Sequence, residues 1–213
     1  MTKAVKPILY GALGGGSAIV EAVLTLAGEP YDMATMEWGE FDQADDAFSK
    51  INPMREIPAL KLADGTVLTE SAAIGLWAAD RHPESGLAPL PDAPERASFL
   101  RWLVWLVASI YPTFTYGDHP ERYIAETAGA KALRQATDDR RQALWHHMEA
   151  SLPFAPWAMG SQMTLIDIYI AAMTRWRPRR TWFKENCPKL YAVAERVDAL
   201  PTLEDVWQKN FGA

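Results

Sequence analysis

Cysteine is almost missing from this chain: Cys187 is the only one. That excludes an internal disulfide framework and fits a reducing, cytoplasmic setting. Histidine is scarce too, with four residues. His82 and His119 fall in loop-like sequence, and His146 and His147 are neighbours on a helix, facing different ways. No His/Cys/Asp spacing fits a metal site, so no metal is expected. No apolar run approaches the roughly 20 residues that cross a bilayer, so no membrane association is expected. The opening MTKAVKPILY is too short and too soon structured to read as a secretory leader. Positive charge is in deficit, with 21 Lys and Arg against 27 Asp and Glu and a net charge of -6. Nucleic acid is not expected as a partner, because phosphate binding needs clustered basic groups. The basic cluster Arg175–Arg180 reads as a solvated helix end.

Two nucleotide signatures are also absent. A G-x-G-x-x-G pattern started at Gly14 meets Ile19, and one started at Gly11 meets Leu13. Glu37 lies near the place of a ribose-binding acid, but the glycine spacing fails. No Gly-Lys-Ser/Thr follows the glycines, so a phosphate-binding loop fails as well.

With 213 residues, of which 49% are hydrophobic, the chain can bury a real core in one large or two small domains. Its first eighty residues alternate strand and helix signals. Ile8–Tyr10 reads as a buried strand start, and Ser17 to Ala27 as a helix with an apolar face at Ile19, Val23, Leu24 and Ala27, closed by Gly28. Tyr31–Glu37 returns as a strand, and 42–51 is polar with one irregular helical turn. Pro58–Leu62 and Thr66–Thr69 form a hairpin about Asp64-Gly65, and Glu70–Arg81 is a helix. The order β-α-β then β-β-α implies one parallel and one antiparallel pairing. Residues 1–82 form this α/β domain, and the proline-rich stretch 83–94 reads as a linker. Residues 95–213 are read as all-helical, in five helices. The first opens at Pro94 and runs to about Tyr111, where Pro112 disturbs it. The others span 120–151, 164–175, 190–200 and 202–209. Thr164-Leu165-Ile166-Asp167 fits a capping box, with Met163 and Ile168 as its hydrophobic staple, which favours a structural over a catalytic role for Asp167.

Three clusters carry possible chemistry. Gly14-Gly15-Gly16-Ser17 lets the backbone approach a ligand at a helix start, where free N–H groups and the dipole favour an anion. There the Ser17 hydroxyl either donates to a bound thiolate or caps the helix. Ile57-Pro58 opens a strand with a residue that cannot donate to a ladder. It is either an ordinary trans edge proline or a cis one presenting Ile57 main chain to an extended peptide. Thr69-Glu70-Ser71 starts a helix directly after a strand. Its serine and acid either cap that helix or hold the carboxylate and ammonium of an amino-acid head group. The aromatics Trp102, Trp105, Tyr111, Phe114 and Tyr116 are core, or else those near the helix end wall an apolar cleft.

The segments LYGALGGGSAIVEAVL and NPMREIPALKLADGTVLTESAAI, the proline-rich linker and the TLID box resemble the cytosolic glutathione S-transferase family across nearly the whole chain. That resemblance, in a bacterial style, implies a thioredoxin-like α/β N-terminal domain, an all-α C-terminal domain and a homodimer. It implies that glutathione is the co-substrate, that Pro58 is cis, and that Ile57 main chain pairs with the cysteinyl part. It places Glu70 and Ser71 at the γ-glutamyl end and Arg55 in the loop near the glycyl end. Bacterial relatives of the beta type carry a cysteine where this chain has Gly16, and others use a tyrosine at the end of the first strand, near Tyr10. Ser17, or the Gly15 and Gly16 amides, is left to activate the thiol. The implied activity is attack of glutathione on a small hydrophobic electrophile seated near Trp105, Tyr111 and Tyr116. The alternatives are a glutathione-binding protein with little transferase activity, or a glutathione-dependent peroxidase or reductase.

Overall fold

Alternating burial along β1, Ile8–Gly11, places Leu9 in the core and makes this strand the hinge of the first fold unit. The computed structural model describes residues 5–39 and 47–212. Strand β1 pairs in parallel with β2 (Asp32–Thr35) and antiparallel with β3 (Ala59–Lys61), which pairs antiparallel with β4 (Val67–Thr69). The sheet order is β2-β1-β3-β4. The crossover helix α1, Ser17–Ala27, is buried along most of its length, with Ile19, Val20, Val23 and Leu24 in the core. It ends at Gly28, whose φ of 74° closes the helix in the left-handed region that glycine adopts without cost. Helix α2, Ser71–Arg81, packs on α1 and buries Ile74 and Ala78. The β3–β4 turn is the expected one: Asp64 Oδ1 accepts from the Thr66 N–H at 2.8 Å, and Gly65 has φ 90°. Of the polar stretch 42–51, residues 42–46 lie outside the described residues, and Ala47–Lys50 forms one tight helical turn.

The chain divides into two compact units, one running to Leu90 and resuming at Val197, the other spanning Pro91–Arg196. The segment from Val197, which the sequence assigns to the helical half, thus belongs with the α/β unit. Its helix α9, Glu204–Phe211, packs on α1. The second unit contains α3 (Arg96–Trp105), α4 (Tyr111–Asp118), α5 (Thr127–Ser151), α6 (Leu165–Met173) and α7 (Arg180–Asn186), with most of α8 (Pro188–Asp198).

Pro112 does not stop its helix. Residues Leu106–Ile110 form a π turn joining α3 to α4, and the Tyr111 N–H reaches Leu106 O, five residues back. This wider turn takes up the hydrogen-bonding register that a proline would otherwise break. The continuous Arg96–Asp118 helix is then 23 residues and, by length and composition alone, apolar enough to cross a bilayer, contrary to expectation. Here its apolar residues Phe99, Leu103, Leu106 and Ile110 are buried, and the helix packs on α5 and α6. Pro120–Arg122 is a separate short turn, so α5 begins at Thr127 instead of Pro120. Helix α7 was not foreseen.

Candidate functional site

Strand register decides which loops meet. Ala59 of β3 stands opposite both Tyr10 of β1 and Thr69 of β4. The residues just before Ala59, just after Tyr10 and just after Thr69 therefore share one end of the sheet. They are Ile57-Pro58, the glycine loop 11–16, and Glu70-Ser71. Three motifs separated in sequence thus meet at one end of the first unit's sheet.

The Ile57–Pro58 peptide is cis, and Pro58 is buried at the mouth of a central strand, not an edge one. The Ile57 side chain packs on the Ala12, Phe48 and Ala59 cluster. Among the described residues its backbone N–H and C=O make no hydrogen bond, a rare condition for main chain beside a sheet. The preceding loop is organised by buried Asn52. Its Nδ2 donates to Glu56 O at 2.7 Å, and its Oδ1 accepts from the Met54 N–H at 3.1 Å. Arg55 sits in this loop at φ 57°. Asn52 was not singled out in the sequence, although Asn-Pro is a turn signal.

Glu70 has φ 65° and ψ 112°, outside the conformations its side chain favours, and no side chain caps the helix that follows. Such strain costs on the order of 1–3 kcal/mol and gathers at functional sites. Capping is thus not the role of this pair. Glu70 is exposed and Ser71 half-buried at the start of α2, where first-turn N–H groups lack helical partners.

Ser17 departs from expectation. It is 0% exposed, and its hydroxyl donates to Ala12 O at 2.9 Å. The side chain lies against Gly11, where an added Cβ would collide with Ser17 Cβ. Its hydroxyl neither caps α1 nor faces solvent, because close packing of helix on strand turns it inward. The backbone differs: the Gly16 and Ser17 N–H groups have no hydrogen-bond partner among the described residues, whereas the Gly15 N–H is committed to Ala12 O at 3.2 Å. Trp38 lies over this loop. Its indole N–H donates to Leu13 O at 3.0 Å, and a Cβ on Gly15 would meet the ring at 3.0 Å. No sequence signal marked Trp38.

Trp105, Tyr111 and Tyr116 fall in three separate ring clusters of the second unit. Trp105 stacks edge-on with Trp102 and near His147, Tyr111 with Phe114 and Trp176, and Tyr116 with Tyr123. No ring contact joins these three groups among the described residues. The Arg175–Arg180 cluster is not a freely solvated end either. Arg177 pairs with Asp118 at 2.7 Å and Asp138 at 3.4 Å, and Arg180 donates to Ala171 O at 2.8 Å. Buried Arg141 bonds Thr113 Oγ1 at 2.9 Å and Asp138 at 2.6 Å, tying α4 to α5.

Asp167 completes the capping box. It accepts from the Thr164 and Ala158 N–H groups at 2.7 and 2.8 Å. Burial outweighs these bonds and pushes its carboxyl up to about 6. Burial also pushes the Cys187 thiol up to about 12, so it holds its proton and is no nucleophile. No group of three His, Cys, Asp or Glu side chains suited to a metal occurs among the described residues.

The sequence profile for the glutathione S-transferase N-terminal domain matches residues 17–81. The uncharacterized GST-like protein YncG of Escherichia coli K12 is 38% identical over 95% of this chain and 97% of its own. A glutathione transferase structure from Methylococcus capsulatus strain Bath is similar at 26% identity and TM-score 0.76, covering 97% of this chain and 100% of that one. A glutathione transferase homologue from Sulfitobacter, solved with bound glutathione, shares the fold at 22% identity and TM-score 0.83, over 96% of this chain and 98% of its own. The chain belongs to the glutathione S-transferase family.

Proposed function

We propose that this chain is a glutathione transferase. The observation that carries the proposal is the Ile57 main chain, left unpaired among the described residues, at the same end of the sheet as the strained Glu70. An extended peptide supplies the missing partners by strand-like pairing. Ser71 and the α2 N-terminus receive the γ-glutamyl carboxylate, Glu70 receives its ammonium, and Arg55 lies at the glycyl side. The bound glutathione of the Sulfitobacter homologue supports the same occupant.

Activation of the thiol falls to main chain. A thiol pKa lowered by about two units requires about 2.7 kcal/mol of thiolate stabilisation. The Gly16 and Ser17 N–H groups supply hydrogen bonds to a charged acceptor worth roughly 1.5–3 kcal/mol each, with about 0.3–1 from the helix dipole. The thiolate sulfur then bonds to an electrophilic carbon, the leaving group departs with its bonding pair, and the thiol proton has gone to solvent.

Titration of glutathione thiolate absorbance with and without the protein tests this. A bound thiol with an unshifted pKa defeats the activation step. The buried Ser17 hydroxyl and the glycine at position 16 favour a second possibility, a glutathione-binding protein with little turnover. Affinity for glutathione without turnover across a panel of electrophiles decides for it.

A further inference from the structure

Glu21 is the one acid on α1, and it is buried, with 4% of its surface exposed. It follows Ser17 by four residues, about 6 Å along the helix axis. Helical side chains lean toward the N-terminus, so a buried carboxylate here opposes a second negative charge at the helix start. Helix α9 answers that charge. Lys209 Nζ pairs with Glu21 Oε1, and Asn210 Nδ2 donates to Oε2 at 2.9 Å. Asn210 Oδ1 in turn accepts from the N–H of Gly14, two residues before Gly16. Tyr31, just before β2, also meets Glu21, but burial pushes its phenol up to about 12, so it stays neutral. Helix α2, the other helix packed on α1 in this unit, turns Arg81 to Glu29 instead. The cation paired with Glu21 is Lys209, and its side chain is 38% exposed, so it is not needed to fill the core.

We infer that Lys209 is a positioning residue for the thiolate, cancelling the Glu21 charge behind the Gly16 and Ser17 N–H groups so that the α1 N-terminus keeps its pull on an anion. This rests on the transferase reading above. Lys209 touches no reacting atom and acts through Glu21. The two side chains therefore push the bound sulfur in opposite directions. Removing the ammonium alone leaves an unmatched carboxylate, which disfavours the thiolate. Removing the carboxylate alone leaves an unmatched ammonium, which favours it. Removing both charges restores the balance.

The test titrates the thiolate absorbance of glutathione bound to wild type, Lys209→Met, Lys209→Gln, Glu21→Gln and the Glu21→Gln/Lys209→Met double variant, with a urea melt on each. Lys209→Met raises the bound thiol pKa by about half a unit or more, and Glu21→Gln lowers it by about as much, the size expected of one charge at this separation. Lys209→Gln, which still hydrogen-bonds Glu21, follows Lys209→Met in sign. Glu21→Gln keeps the shape of the buried side chain and an acceptor for Asn210, so it reads the charge alone. The double variant lies between the two single ones, close to wild type, because both act on the same sulfur. Affinity for S-methylglutathione, which has no thiol to ionise, stays within about twofold throughout. Shifts of one sign in both single variants, no shift in either, or a shift that comes with lost S-methylglutathione affinity overturns the inference, since a purely structural role predicts these. Wild-type protein that binds glutathione without lowering its thiol pKa overturns the transferase reading, and this inference with it.

Discussion

The Asn210 side chain accepts a hydrogen bond from the Gly14 N–H at 3.3 Å, across 196 positions of sequence. The same amide donates to Glu21 Oε2 at 2.9 Å, and Lys209 pairs with the other oxygen of this buried carboxylate. Helix α9 thereby fastens the glycine loop to α1. Asn210→Ala removes one hydrogen bond from the Gly14 N–H and one from the buried Glu21 carboxylate. Unfolding in urea is expected to show a loss of about 1–3 kcal/mol, the cost of stranding buried polar groups. Glutathione turnover drops further than stability alone accounts for.

Ser71→Ala and Ser17→Ala separate binding from folding. Calorimetry of Ser71→Ala is expected to show glutathione affinity reduced about tenfold, the loss of one hydrogen bond to a charged group. Ser17→Ala breaks only the bond to Ala12 O. It costs about 0.5–1.5 kcal/mol of stability and leaves the bound thiol pKa unmoved. A raised thiol pKa in Ser17→Ala returns the hydroxyl to the catalytic role that its sequence position suggests.

Asp167 sets a pH dependence of stability. Its folded pKa of about 6 lies above the ordinary 3.8, so between these values the native state binds the proton more tightly. Stability from this group is fully present below pH 3.8 and is lost as pH rises through 6. The stability of wild type minus that of Asp167→Asn, from urea melts, is expected to decline across that window. A flat difference contradicts the buried-carboxyl account.

Glu29 gives the opposite pair of limits. Its carboxylate accepts from Arg81 at 3.1 Å and contacts His82 at 2.6 Å, which holds it below the usual carboxylate range against the opposing pull of burial. The same contact holds His82 above 6.5. The carboxylate's contribution is lost as pH falls below 4.5, and the imidazolium's as pH rises above 6.5. Wild type is expected to exceed Glu29→Gln in stability most between those values, as read from melts over a pH series.

Much of the first unit was legible because its signals are local. The hairpin about Asp64-Gly65, the α1 face and the strand-to-helix step at Thr69 each follow from residues close in sequence. The Thr164 and Asp167 capping box was legible for the same reason. What escaped depends on partners distant in the chain or on register. Pro112 looks like a stop until a π turn moves the bond of Tyr111 to Leu106. The inward aim of Ser17 depends on how closely Gly11 lets helix meet strand. Trp38 over Gly15 and Asn210 on Gly14 are long-range contacts that no spacing rule encodes. The short helix α7 hides in a basic run, since its only fully buried apolar anchor is Phe183.

The ribosome builds the α/β unit in two instalments. Everything from Pro91 to Arg196 must be translated before the residues that fasten the glycine loop exist. A nascent chain that stalls in between carries the Ile57 and Glu70 motifs but lacks the Asn210 side chain that holds Gly14.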